Sequence, residues 1–196
     1  MAAAPAATSL VVLTGAAQAG AAKPTYYVSV GDSYSVGYQP GVGATTGYAG
    51  YVTKKTHLTL ANIGCGGATT ASIIDAVGCP DVLLGAYVYP AQPATAARMT
   101  LASESVVAFK SLINPALAKT YAAAGGAFVD VTAATGAYTP LTTTVTVAPY
   151  GTIPQAVARV CTLTWYCQVG NIHATSAGYA FIGKLVTARY ATLHPK

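Results

Sequence analysis

Charge is scarce in this sequence. Only 8% of its 196 residues are Asp, Glu, Lys or Arg, against 53% that are hydrophobic. Such a composition excludes an intrinsically disordered chain and leaves enough apolar side chain for the core of one compact domain. Ten basic and five acidic residues give a formal net charge of +5, yet the bases are scattered and Lys54–Lys55 is the one adjacent pair. No arginine stripe interleaves with aromatics, so no nucleic-acid partner is expected, because phosphate binding needs clustered positive charge. The acids are few enough to name: Asp32, Asp75, Asp81, Glu104 and Asp130. None lies beside His173, a shortage that bears on the chemistry below.

Long apolar runs are lacking too. Residues 1–22 are Ala-rich and uncharged, with a short run at Leu10-Val11-Val12-Leu13 and a small-x-small ending at Ala17-Gln18-Ala19. The pattern is that of a secretory signal peptide, although no Lys or Arg precedes the apolar run. Export is expected, with the folded domain over 25–196. The run is far short of the roughly 20 apolar residues that span a bilayer as a helix, so no stable membrane span is expected. The four cysteines, Cys65, Cys79, Cys161 and Cys167, suit an oxidising compartment. They lack the Cys-x-x-Cys spacing that presents two sulfurs to one metal, and neither a metal nor a cofactor is expected. There is no internal repeat.

What the sequence does hold is an alternation of strand-like and helix-like stretches, the mark of an α/β fold. Strands are expected over 26–30, 58–63, 82–88 and 127–131. Helices are expected over 48–55, 68–77, 100–124 and from Thr175 onward, the third of them kinked or split by Pro115. The Thr-, Gly- and Pro-rich stretch 132–154 is too long for an ordinary connection and is expected to be a lid or substrate-lining loop.

The first strand runs directly into Gly31-Asp32-Ser33. Open α/β sheets place their sites beyond the carboxyl ends of strands, and a helix starting after Ser33 would aim backbone N–H groups at an anion formed there. Ser33 is therefore the candidate nucleophile. A Ser capping the next helix, with Asp32 as a turn former, is the plainer alternative. The second strand delivers Gly64-Cys65-Gly66-Gly67 to the same edge, where glycines let a backbone approach a reacting group closely. A serine hydroxyl needs a base within hydrogen-bond reach. Of the histidines, His57 lies in a polar connection and His194 near the C-terminus. His173 sits before the last helix and is the best placed. Asp130 is a weaker candidate for a catalytic carboxylate.

Taken in order, Gly31-Asp32-Ser33, Asn62-Ile63-Gly64-Cys65-Gly66-Gly67 and Asn171-Ile172-His173 resemble the motifs of the SGNH, or GDSL, serine esterases and lipases. The similarity is greatest to their small secreted, disulfide-bonded members. The resemblance implies a three-layer α/β/α sandwich around a central, mostly parallel sheet, flavodoxin-like. It implies Ser33 as nucleophile, His173 as base, and an oxyanion hole formed by the N–H groups of Ser33 and Gly67. It also implies Cys65–Cys79 and Cys161–Cys167 disulfides, a monomer, and a small-molecule or lipid ester as substrate. Trp165 and Tyr166, between the last two cysteines, are expected either in an acyl pocket or in the core.

The pattern departs from that family twice. The position two residues before the histidine, normally aspartate, holds Asn171, leaving a Ser-His dyad or a Ser-His-Asn arrangement. The third motif, Gly-x-Asn-Asp, is missing. Either Gly85-Ala86-Tyr87-Val88 is its remnant, or a strand and its flanking helices are deleted between Cys79 and Asp81, which would leave the sheet without one central strand. Two functions are therefore expected from the sequence: a secreted carboxylester hydrolase, or a catalytically impaired relative that binds a lipid, glycan or protein.

Overall fold

The structure, a computed structural model, describes residues 25–69 and 96–195. The leader at 1–22, Cys79, the strand expected over 82–88 and most of the helix expected over 68–77 lie outside the described residues.

The fold is mixed α/β. Strand β1 (Tyr26–Ser29), helix α1 (Gly47–Thr56) and strand β2 (Thr59–Asn62) form a βαβ unit. The strands pair in parallel from Tyr26 opposite Thr59 to Ser29 opposite Asn62. The pairing continues past the strand ends, with Ile63 N–H donating to the Ser29 carbonyl at 2.9 Å and Cys65 N–H to that of Gly31 at 2.8 Å. That extension brings the glycine-rich loop alongside the nucleophile turn.

Helix α1 ends at His57, which adopts a left-handed conformation with φ 61° and donates its N–H to the Thr53 carbonyl at 2.8 Å. His57 is thus a helix C-cap, in a conformation more often taken by glycine. Across α1 lies the long C-terminal helix, which we call α7 (Ser176–Leu193). The helices meet where Gly183 faces the ring of Tyr51, and a Cβ at 183 would sit 2.6 Å from that ring. Ala49 and Val52 are fully buried and Tyr179 nearly so, which places the core at this contact. Tyr26 and Val28 of β1, Val30 just after it and Ile63 after β2 are exposed.

Helix α2 (Ala96–Ala108), a π-helical turn (Phe109–Ile113) and helix α3 (Asn114–Ala123) form one continuous rod. In place of the kink or split expected at Pro115 there is this widened turn, with Asn114 N–H reaching back to the Phe109 carbonyl. Proline has no N–H to continue the ordinary ladder, and the widened turn absorbs the defect. The strand expected over 127–131 does not form. Asp130 instead caps the short helix α4 (Val131–Ala134), its carboxylate accepting Ala133 N–H at 2.8 Å. A capping carboxylate stabilises the first turn, and here it overrides the β-branched pattern around it.

The stretch 132–154 is not an irregular lid. After α4 it forms an antiparallel hairpin, β3 (Thr144–Val147) and β4 (Gly151–Pro154), packed on helix α5 (Gln155–Leu163). Short helix α6 (Tyr166–Val169) follows, and the Cys161–Cys167 disulfide joins it to α5. No described helix is long and apolar enough to cross a membrane.

Candidate active site

Ser33 stands on a tight turn, and no helix starts directly after it. The N–H groups of Ser35 and Val36 donate to the Asp32 carbonyl at 3.1 and 3.3 Å, and the chain then reverses, Tyr38 N–H returning to the Ser33 carbonyl at 3.0 Å. The reversal passes through Gly37 at φ 65°, which lies so close to Gly47 that neither accepts a Cβ. Asp32 accepts Tyr34 N–H at 2.9 Å through its carboxylate, as a turn-forming side chain does. Ser33 and Ser35 are both buried.

Asn62, at the end of β2, ties the glycine-rich loop to this turn. Its Nδ2 donates to the Ser35 carbonyl at 2.9 Å, and its Oδ1 accepts Gly64 N–H at 3.0 Å. Gly64 packs against Ser35 with no space for a side chain: a Cβ would fall 1.7 Å from the Ser35 hydroxyl. Residues 65–68 form a turn closed by Ala68 N–H to the Cys65 carbonyl at 3.0 Å, in which Gly67 takes φ 77°. A positive φ at the third position is what glycine supplies at little cost. Cys65 is disulfide-bonded, while its expected partner Cys79 lies outside the described residues.

His173 reaches the same place from the other end of the chain. Its segment pairs with the residues after α5: Trp165 N–H donates to the His173 carbonyl and Thr175 N–H to the Leu163 carbonyl, each at 2.9 Å. The Cys161–Cys167 bond closes the loop that makes these contacts. Thr175 then caps α7, its hydroxyl accepting Gly178 N–H at 3.2 Å. Trp165 therefore backs the histidine segment, and neither it nor Tyr166 lines the recess beside the nucleophile.

Nε2 of His173 lies 2.8 Å from Oγ of Ser33, and Nδ1 lies 2.6 Å from Oδ1 of Asn171. Oδ1 also accepts the backbone N–H of His173 at 3.0 Å. Two donors converging on one oxygen place the proton on Nδ1 and leave Nε2 as the acceptor facing the serine hydroxyl. Burial holds the imidazole below its ordinary pKa, against an opposing pull from Asp32. The ring is then neutral at neutral pH, the form a base requires.

No family model matches the chain, and neither a curated protein nor a solved structure matches it.

Ser33, His173 and Asn171 are brought together, and Gly67 lies on the adjoining loop. Asp130, bonded to the Tyr138 hydroxyl at 3.0 Å, and His194, exposed and against the Tyr190 ring, are used elsewhere. A recess of about 310 Å³ is lined by Val30, Asp32, Tyr34, Tyr48 and Thr69, among others; the neighbours of Ser33 form part of its wall, while Ser33 and His173 do not. A larger one of about 620 Å³, between α4, the hairpin and α5, contains none of these site residues. Among the described residues no cluster of His, Cys, Asp and Glu is arranged to hold a metal.

Sequence reasoning missed the tyrosines around the base. Tyr38 meets the His173 ring edge-on, with centroids 4.6 Å apart, and Tyr34 lies nearly parallel to it at 5.9 Å. The available signal was composition: 14 tyrosines against three phenylalanines, a chain choosing aromatics that also carry a hydroxyl.

Proposed function

We propose that this chain is a secreted carboxylester hydrolase of the SGNH type, acting as a monomer through an acyl-serine intermediate. The observation that carries the reading is the hydrogen-bonded line from Ser33 Oγ through His173 to Asn171 Oδ1, at 2.8 and 2.6 Å. Ser33 Oγ attacks the ester carbonyl as its proton passes to Nε2. The N–H groups of Ser33 and Gly67 hold the oxyanion, where one such donor typically lowers the barrier by about 3 kcal/mol. Nε2 then returns the proton to the leaving alcohol, and a water activated by the same nitrogen releases the acid.

The same reading places β1 and β2 in the central parallel sheet of a three-layer sandwich. Their parallel register, with α1 as the crossover, supports it. The disulfides suit export.

The test is hydrolysis of short p-nitrophenyl esters by the purified protein, with loss of turnover in Ser33→Ala and His173→Ala. A folded sample that neither turns over esters nor reacts at Ser33 with a fluorophosphonate sinks the proposal. A second reading, a non-catalytic binding module, is favoured by one observation: the partner of Nδ1 is an uncharged amide. The response to Asn171→Asp separates the two.

A further inference from the structure

Where a triad has a carboxylate, its charge both orients the imidazole and stabilises the cation formed during the reaction. Asn171 supplies direction without charge, so the position of the ring must be fixed by other means. The nucleophile turn and the base loop are joined by a contact that involves neither reacting atom. The Tyr34 hydroxyl donates to the carbonyl of Ile172, the residue between Asn171 and His173. Tyr34 is held in turn by its N–H on the Asp32 carboxylate at 2.9 Å and by the edge of Tyr179, with ring centroids 5.9 Å apart. The Tyr179 hydroxyl donates to the Tyr38 carbonyl at 2.8 Å, and the Tyr38 ring meets the imidazole edge-on. Burial, reinforced by Asp32, pushes the Tyr34 phenol up, so its hydroxyl stays protonated and remains a donor.

We infer that Tyr34 is a positioning residue, whose hydroxyl anchors the Ile172 carbonyl and so sets the approach of His173 Nε2 to Ser33 Oγ, taking over part of the orienting role of the missing carboxylate. The inference rests on the acyl-serine reading of the site. Phenylalanine would keep the ring contacts with His173 and Tyr179 and lose the anchor alone. Among the described residues, the ionisable groups facing the imidazole are Asp32, Tyr34 and Tyr38 of the nucleophile turn, with Tyr179 of α7 behind Tyr34.

The experiment compares wild type with Tyr34→Phe in steady-state ester hydrolysis across the imidazole titration range, and follows the His173 ring by NMR. Tyr34→Phe lowers kcat about tenfold, the rate equivalent of one ordinary hydrogen bond, with KM unchanged. The acid limb of the profile rises toward the ordinary imidazole value as the released ring gains water. A loss of folded protein alone would cut the active fraction without moving that limb. In an Asn171→Asp background the substitution costs less, because the carboxylate then holds the ring. An unchanged kcat, a fixed acid limb, or an equal cost in both backgrounds overturns the inference. Should wild type neither turn over nor label, the ester reading fails by itself; the NMR titration still decides, and an unmoved His173 titration in Tyr34→Phe overturns the anchor.

Discussion

Ser33 and His173 stand 140 positions apart in the chain and 2.8 Å apart in space. Two docking events close that gap: the parallel pairing of β2 with β1 on one side and the packing of α7 on α1 on the other.

The pH dependence of that pair follows from burial. His173 titrates below its ordinary 6.5, with desolvation outweighing the attraction of Asp32. Activity is therefore expected to hold down to about pH 6.5 and to fall only below it, as the ring takes up its proton. Stability follows the same sign. The folded ring resists protonation, so stability is full above the unfolded value of about 6.5 and declines as pH drops below it. A kcat/KM profile whose acid limb lies above that value contradicts the prediction.

Asn171→Asp adds a charge to a hydrogen bond that already has the correct tautomer. The expected gain in kcat is about tenfold, the difference between a charged and a neutral acceptor. It falls well short of the roughly 10⁴ seen where the amide selects the wrong tautomer. The imidazole pKa rises as well, so the acid limb moves up. No gain in rate in a folded variant favours the binding-module reading.

Gly64→Ala forces a Cβ into the Ser35 hydroxyl. The expected destabilisation is about 1–3 kcal/mol, as for other overpacked sites, with disturbed turnover because Ser35 braces the nucleophile turn. Adding Ser35→Gly removes the atoms in conflict and should recover stability relative to Gly64→Ala alone. Denaturant melts of the single and double variants decide, and no recovery would argue against the clash.

Replacing Cys161 and Cys167 together by serine opens the loop against which His173 is paired. Loop-closure entropy for so short a ring gives about 2 kcal/mol of lost stability. Turnover should fall more than the folded fraction does, since the contacts from Trp165 and Leu163 to the histidine segment loosen. Equal losses in both measurements would mean that the staple serves stability alone.

Much of this arrangement is legible in the residues themselves. β1, α1, β2 and α7 lie where strand alternation and helical spacing put them, and Ser33, His173 and Asn171 meet beyond the end of β1. The failures share a cause. A helix starting after Ser33 would have aimed its N–H groups at an anion there, but Gly37 and Gly47 let two backbones meet and turn the chain back. The strand expected before Val131 was read from β-branched residues, and a single carboxylate capping a helix outweighed them. Asn62 and Tyr34 went unassigned because their roles depend on long-range partners, Ser35 in one case and Ile172 in the other, that no local pattern reveals.

The order of the site along the chain has a consequence for biosynthesis. The serine, its turn and the glycine loop all emerge from the ribosome well before the segment carrying the imidazole. Until that segment is made and α7 docks, Ser33 lacks the imidazole that stands 2.8 Å from its hydroxyl in the folded chain.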